Sequence, residues 1–534
     1  AYNSTIALTI DPVVRVWGTY YGRETSGGGY ASCISDSSGN VLLITEVTAT
    51  GLATTGAHQT SLAGSSDVIL VNFNSSGERQ WGTYYGGASY EVPYSCTTNN
   101  NYIFLAGGTS STSGIATSGA HQTMIAGYSD LFLVKFNSSG VRQWGTYYGG
   151  SSDFEQVPAS CVLDNSGNIF LHGITTSTSG IASSGAHQTT IGGSIDAFLV
   201  KFNSNGVRQW GTYYGGSRNE YYNGKKGECD VDSDGNVFLC GSTRSSYGIA
   251  SSGAHQTTHG GSSNANKWNA YLVKFDSAGV RQWGTYYGGS GIIQGVACAT
   301  DTTGNVFLVG WSNLPWSGAV TSGAHQAQWS NSSSYSDGFI AKFNGSGVRQ
   351  WGTYYGGTGN DILTFCDTDN SGNLFFGGYT GSNNGIATSG SYQPAKAAGH
   401  NLGQDAFLVK FNSSGVRQWG TYYGGSQTIN SSWSNDLGYS CAVDNKGSIF
   451  LAGLTSSTSG IATIGAHQIS KSAAYWSAFL IRFADCDNLD ISIDSTDVSC
   501  YGGNNGQVLT ITTGGTSPYA YAWSTGDTLD SLSS

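Results

Sequence analysis

Trp210-Gly-Thr-Tyr-Tyr-Gly215 is one of seven copies of the same hexapeptide, with the tryptophan at positions 17, 81, 144, 210, 283, 351 and 419. Successive copies lie 64, 63, 66, 73, 68 and 68 residues apart. A period that regular marks an array of one supersecondary unit. What all seven units share is architecture, so chemistry is sought where one unit departs from the others.

The unit around this copy reads as four strands. Ser160-Cys-Val-Leu-Asp164 is a short apolar run, and the turn Asn165-Ser-Gly-Asn168 leads to a second run, Ile169-Phe-Leu-His-Gly-Ile174. A polar stretch with Ala186-His-Gln188 follows, then Ala197-Phe-Leu-Val-Lys-Phe202, the turn Asn203-Ser-Asn-Gly206 and Val207-Arg-Gln-Trp-Gly-Thr-Tyr-Tyr214. Runs of this length, rich in β-branched and aromatic residues and bounded by Gly, Asn, Asp and Ser, are strands. No window shows a sustained 3.6 period, and 80 glycines oppose helix.

Four-stranded units repeated around an axis make a β-propeller. Seven first strands are marked by Cys33, Cys96, Cys161, Cys229, Cys298, Cys366 and Cys441. The last unit stops at its third strand, Ala478–Phe483, whereas the chain begins with a fourth strand, Val13–Tyr21. The two ends therefore complete one blade, which removes an open edge. Val14 to Trp17 is expected to pair antiparallel with Phe479 to Phe483. Residues 1–12 have no place in this scheme. The fold class expected is all-β: a seven-bladed propeller over residues 1–484, then a β-sandwich-like module over 485–534.

Asp164 to Asn168, Gly173, Asp196 to Lys201 and Thr212 to Gly216, repeated through residues 13–483, resemble the SBBP family of bacterial β-propeller repeats. The chain departs from that pattern in the Trp before Gly-Thr-Tyr and the Cys of the first strand. Farther on, Cys500-Tyr-Gly-Gly503 and Gly514-Gly-Thr-Ser-Pro-Tyr-Ala-Tyr-Ala-Trp523 are similar to the start of the SprB repeat of Bacteroidetes surface adhesins. The later strands of that repeat would lie beyond Ser534, so the chain is expected to be part of a longer protein. This resemblance implies export by the type IX route, an extracellular place on the bacterial outer cell surface, further modules of the same chain as partners, and a link to gliding motility.

Composition agrees with export. Charged residues are 10% and the net charge is −11, which disfavours nucleic acid and anionic membranes. Of the 22 basic residues, 13 are repeat positions, and no basic patch is left. No apolar run approaches the ~18 residues of a membrane span, and no signal peptide precedes Ala1, which reads as a mature start.

The seven first-strand cysteines read as buried apolar spacers. A Cys161–His187 dyad is conceivable, but a nucleophile would not be copied into every blade. Cys240 lies across a turn from Cys229, which leaves a cross-strand disulfide open. Cys486 and Cys500 belong to neither set and are expected to pair. Closing a loop of that size contributes roughly 3 kcal/mol in the chain-entropy model.

Turns between first and second strands, and between third and fourth, are short and uniform. The opposite face carries the long loops. Six tryptophans outside the motif, Trp268, Trp311, Trp316, Trp329, Trp433 and Trp476, are assigned to these loops, all in the later half of the ring. Exposed indoles among Ser, Asn and Gly stack on sugars or anchor protein partners, so these six are the candidate ligand-binding residues for an extracellular glycan or surface protein. His58, His121, His187, His255, His325 and His467 are equivalent and read as fixing their loops by hydrogen bonds. Asp230, Asp232 and Asp234 resemble the start of a calcium loop without its closing Glu. Acids after the Gly-Gly motif, among them Glu24, Glu91, Asp153, Glu155, Glu220, Asp361 and Asp436, are placed at the channel rim. Glu220 to Tyr222 with Lys225 and Lys226 form a locally unusual charged cluster. Asp-Ser/Thr pairs at Ser277, Thr528 and Ser531 resemble Bacteroidetes O-glycosylation sites. No cofactor is indicated and no catalytic set is assigned. Two function classes follow: a non-enzymatic adhesin head or structural unit, and a propeller enzyme that degrades polysaccharide.

Overall fold

The computed structural model describes residues 13–25, 29–151, 159–221, 227–261, 267–330, 335–397, 403–426, 435–471, 476–485, 490–496, 507–513 and 531–533. Among them there is no helix. Seven four-stranded antiparallel sheets succeed one another, each with its strands in sequential order apart from the closing one. Blades 1 to 6 span residues 31–85, 91–148, 160–214, 229–287, 293–355 and 361–423. Blade 7 joins Asp436–Val443, Ser448–Thr455 and Trp476–Asp485 to Val13–Thr25.

The two ends pair antiparallel as expected, with Val14 to Trp17 set against Arg482 to Ala484, farther along the third strand than Phe479 to Phe483. Val14 pairs with Ala484, Arg15 with Phe483, Trp17 with Arg482 and Tyr20 with Phe479, with an irregularity between Arg15 and Trp17.

The core lies between blades rather than within them. Each apolar cluster combines two neighbours: Ala106 and Phe104 of blade 2 pack with Cys161 and Leu171 of blade 3, and Phe450 and Ala452 of blade 7 with Cys33 and Leu43 of blade 1. Every motif tryptophan is a latch on the next blade. Trp144 donates its indole N–H to the Ser204 carbonyl at 3.2 Å, and Lys135 reaches the same carbonyl at 2.9 Å. Gly206 lies against the Trp144 ring with φ +78°, where a Cβ would stand 3.1 Å from the indole. Both the left-handed conformation and the close approach require glycine.

The Ala-His-Gln segments are not on the long-loop face as expected. They run along the outer edge of the fourth strand: Thr117 donates its N–H to the Gly145 carbonyl at 2.9 Å, and Tyr147 to the Gln122 carbonyl at 3.1 Å. The segment thereby covers an edge that would otherwise stay unpaired. The histidines hold it by ring packing, not by the hydrogen bonds expected of them. His121 stacks on Tyr148 of its own blade at 6.0 Å and meets Phe202 of the next at 5.7 Å. The adjacent glutamine supplies the polar bonds: Gln122 Nε2 donates to Asp130 at 2.6 Å.

Beyond the propeller, Asp490–Thr496, Gln507–Thr513 and Ser531–Ser533 form one three-stranded antiparallel sheet. The described residues give this single sheet, and the expected sandwich is not seen in them.

Candidate functional site

The seven first strands surround an axial cavity of about 280 Å³ lined by all seven ring cysteines. These strands run from the long-loop face toward the short-turn face, so a residue before the cysteine lies nearer the former. Three levels result: tyrosines, then thiols, then carboxyls.

At the upper level Tyr30 meets Tyr94 edge-on at 5.5 Å and Tyr439 at 6.4 Å. Burial, then the neighbouring Tyr221 and Glu46, lifts the Tyr30 phenol above its ordinary range. Burial holds Tyr94 and Tyr439 up in the same way. The rings are neutral hydrogen-bonding surfaces, not bases.

At the middle level the thiols are protonated. Burial pushes Cys33 up to about 12, and Cys161's neighbour Cys229, with Cys366 and Cys441, well above the ordinary thiol value. The reactive species would be the thiolate, so the ring is not a nucleophile set. In blades 7, 2 and 3 the preceding serine joins the following blade. Cys33 N–H donates to Ser440 Oγ at 3.2 Å, Cys161 N–H to Ser95 Oγ at 3.2 Å, and Cys229 N–H to Ser160 Oγ at 2.8 Å. Glu228, Ala297 and Phe365 occupy the serine position in blades 4 to 6.

In that same half the lower level is acidic. Asp230 accepts from Thr300 N–H at 2.6 Å and Thr300 Oγ1 at 2.7 Å. Asp367 accepts from Val443 N–H at 2.9 Å. Burial raises Asp230, and raises Asp367 to about 7 with a smaller contribution from the Asp230 charge. Each carboxyl thus ties its blade to the next, a task that serine performs in the other half.

The acids after Gly-Gly do not rim the channel. Glu91, Glu220, Asp361 and Asp436 are buried at the top of the blades, beside the aspartate that opens the third strand. Glu220 Oε1 accepts from Thr243 Oγ1 at 2.8 Å and Ser245 Oγ at 2.5 Å. Burial, then the Asp196 charge, holds Glu220 well above the usual carboxyl range, so it is the protonated member beside Asp196. Glu220 is therefore one of a repeated set. Tyr222, Lys225 and Lys226 lie outside the described residues, as do Asp153 and Glu155, and the side chain of Glu24 is not described either. In blade 4 Asn269 replaces the aspartate and Ile293 the partner acid, so both halves of the pair are absent together.

The tryptophans are less exposed than a binding platform requires, and two of them are not in loops. Trp311 lies on the second strand Val306–Ser312, and Trp476 opens the third strand Trp476–Asp485. Trp268 is buried, with the Arg244 guanidinium 5.4 Å from its ring. Trp316 and Trp329 are half-buried and meet Tyr354 edge-on at 5.6 and 5.2 Å. Trp433 lies outside the described residues.

Asp230, Asp232 and Asp234 do not converge. Asp230 faces Thr300, whereas Asp232 accepts from Asp234 N–H at 3.1 Å and Asn236 N–H at 2.9 Å and pairs with Lys274 at 3.3 Å. Among the described residues no three His, Cys, Asp or Glu are grouped for a metal ion. Cys229 stands opposite Leu239, so its side chain and that of Cys240 leave opposite sheet faces and cannot bond. Cys486, Cys500 and Thr528 are outside the described residues. Ser277 is exposed on a turn, and Ser531 opens the last strand.

Sequence reading missed the channel tyrosines and the ties that Asp230 and Asp367 make between blades. The available signal was distance from the ring cysteine: Tyr94 and Tyr439 both stand two residues before it, and Asp230 and Asp367 one after.

Residues 492–528 match the family model of the SprB repeat. An uncharacterized WD repeat-containing protein of Acanthamoeba polyphaga mimivirus is 26% identical over 237 residues, which is 40% of this chain and 17% of that protein. The chain thus spans less than a fifth of the length of the curated relative it matches. Similar solved structures include a Dyadobacter fermentans protein of unknown function (11% identity, 77% of this chain and 98% of that one, TM-score 0.35). A polysaccharide lyase (9%, 90% and 93%, TM-score 0.41) and an α-L-arabinofuranosidase of Fusarium graminearum (7%, 90% and 99%, TM-score 0.37) are also similar.

Proposed function

We propose that this chain is a non-enzymatic module of a long, exported cell-surface protein: a propeller built from SBBP-type repeats, followed by a SprB repeat, acting as an adhesin head or structural unit. The observation that carries the reading is the SprB match at residues 492–528 directly after the propeller. Two features of the axial site support it. Its thiols are held protonated, and its carboxyls are engaged between blades.

A ligand would be met on the long-loop face. Trp329, half-buried over Tyr354, is the anchor in the tryptophan sector, and the neutral tyrosines at the channel mouth offer a second aromatic surface. Aromatic faces with few charges suit an uncharged sugar or a protein loop. A glycan array with the intact chain, run beside a product assay for sugar release, tests this. Binding that drops at least tenfold in Trp329→Ala, with no sugar released, is the expected result. Turnover of a polysaccharide would instead establish the degrading enzyme. No binding to any glycan or cell surface would reduce the propeller to a spacer.

A further inference from the structure

The propeller holds one cysteine outside the ring set, Cys240. Its position is a repeat position in the second strand, occupied elsewhere by Ile44, Ala106, His172, Val309, Gly377 and Ala452. That position faces the ring cysteine of the following blade. Ile44 clusters with Cys96, Ala106 with Cys161, Val309 with Cys366 and Ala452 with Cys33. In blade 4 alone the residue facing the ring thiol is itself a thiol. Cys240 and Cys298 share one buried cluster between blades 4 and 5. Both sulfurs also bracket one residue. Glu228 N–H donates to Cys240 Sγ at 3.5 Å, and Cys298 Sγ–H donates to the Glu228 carbonyl at 3.6 Å.

We infer that Cys240 and Cys298 form a disulfide between blades 4 and 5 when the chain folds in an oxidising medium. Two S–H bonds break and one S–S bond forms. The two electrons and two protons pass to a small-molecule or protein disulfide, which leaves as two thiols. Both cysteines are buried in the folded chain, so the exchange takes place before blades 4 and 5 close on one another. The other six ring thiols face Ile, Ala, His, Val, Gly and Ala and stay reduced. The bond would fix one of the seven blade junctions covalently, next to the channel and in the half where serine ties are missing. The reading of the chain as exported supplies the oxidising medium, whereas the juxtaposition of the two thiols stands apart from it.

The test refolds the full chain in a buffer of reduced and oxidised glutathione, blocks free thiols under denaturing conditions and maps unreduced peptides by mass spectrometry. The expected result is a cross-linked peptide joining Cys240 to Cys298, with Cys33, Cys96, Cys161, Cys229, Cys366 and Cys441 alkylated. Cys240→Ala keeps the fold, since Ala fills this place in blades 2 and 7, and leaves Cys298 alkylated. Reduction then lowers the unfolding midpoint of the wild type more than that of C240A, in which any Cys486–Cys500 bond is still present to be reduced. Alkylation of both Cys240 and Cys298 after oxidative refolding overturns the inference, as does a bond from either to another ring thiol. Chain recovered from whole cells that produce it tests export separately. Free thiols there, with the bond formed in glutathione, count against export and leave the pairing standing.

Discussion

Trp419 donates its indole N–H to the carboxylate of Asp485 at 3.2 Å, whereas the six other motif tryptophans donate to a backbone carbonyl in the next blade's turn. The difference follows from the closure. Blade 7 draws its third and fourth strands from opposite ends of the chain, so it has no turn between them. A side chain at the end of the third strand takes the place of the missing carbonyl. Lys410, which in other blades would reach that carbonyl, pairs with the same carboxylate.

Asp485→Ala should therefore weaken the closure more than a turn mutation weakens any other junction. It removes two charge-assisted contacts and strands a mostly buried lysine. Breaking a buried pair by deleting one partner costs roughly 3–5 kcal/mol, and the exposed margin of this one puts the expectation at about 2–3 kcal/mol. Urea unfolding measures it. A change of under about 0.5 kcal/mol would show that the strand pairing alone holds the ring shut.

The glycine under each indole gives a second prediction. Gly206→Ala places a Cβ 3.1 Å from Trp144 and forces alanine into φ +78°. The backbone strain alone costs about 1–2 kcal/mol, and displacing the indole from the Ser204 carbonyl adds to it. Gly185→Ala is the control, since its φ is +77° and nothing lies within 4 Å of its added Cβ. The difference between the two midpoints isolates the latch. Equal losses would mean that only the conformation matters.

The ring, its closure and the strand order were legible because they rest on spacing, and spacing survives in sequence. Trp311 was misplaced for a local reason. Val309-Gly310-Trp311 looks like a strand ending at glycine, but in blades 2 to 7 the second strand runs past its glycine to a threonine or serine, and Trp311 pairs with Gln294 and Gly338 within the sheet. The juxtaposition of Cys240 and Cys298 was hidden because it crosses from one blade to the next. A repeat pattern shows what each blade contains and not which residue of its neighbour it faces. The acid pairs were hidden too, since the two carboxyls of a pair stand 24 to 31 residues apart in blades where the intervening lengths vary.

The paired acids make stability depend on pH in a definite direction. Burial, and then the charge of Asp436, raises Asp405 from 3.8 to about 7. A carboxyl with a higher pKa folded than unfolded binds its proton more tightly in the native state. Its contribution is complete below pH 3.8 and is lost as the pH rises through about 7. Asp405→Asn removes the titration, and asparagine already serves at the equivalent Asn269, accepting from Gly260 N–H at 2.6 Å. The gain of D405N over wild type should therefore grow between pH 4 and pH 8, by on the order of 1–3 kcal/mol. The histidines act in the opposite sense, since burial lowers His172 to about 3 and native packing is lost as such groups charge. Taking the difference between variant and wild type at each pH cancels them. A difference that stays flat over this range would mean that Asp405 is ionised in the fold throughout.

The ring thiols yield the last prediction. Burial pushes Cys33 up to about 12 and holds Cys441 well above the ordinary thiol value, and each sulfur is enclosed between two blades. At pH 8 the thiolate fraction of such a group is about 10⁻⁴, against roughly a quarter for a free cysteine. Alkylation of the native chain should therefore leave the seven ring positions unmodified over hours, and modification should follow the rate of unfolding once urea is added. The label itself distinguishes protection by burial from protection by oxidation. Thiols that are buried react completely after denaturation alone, whereas a bonded pair needs reductant as well. Rapid native labelling at Cys33, Cys161 or Cys441 would show that the first strands separate on the time scale of the experiment, and the axial cavity would then have to be regarded as open rather than packed.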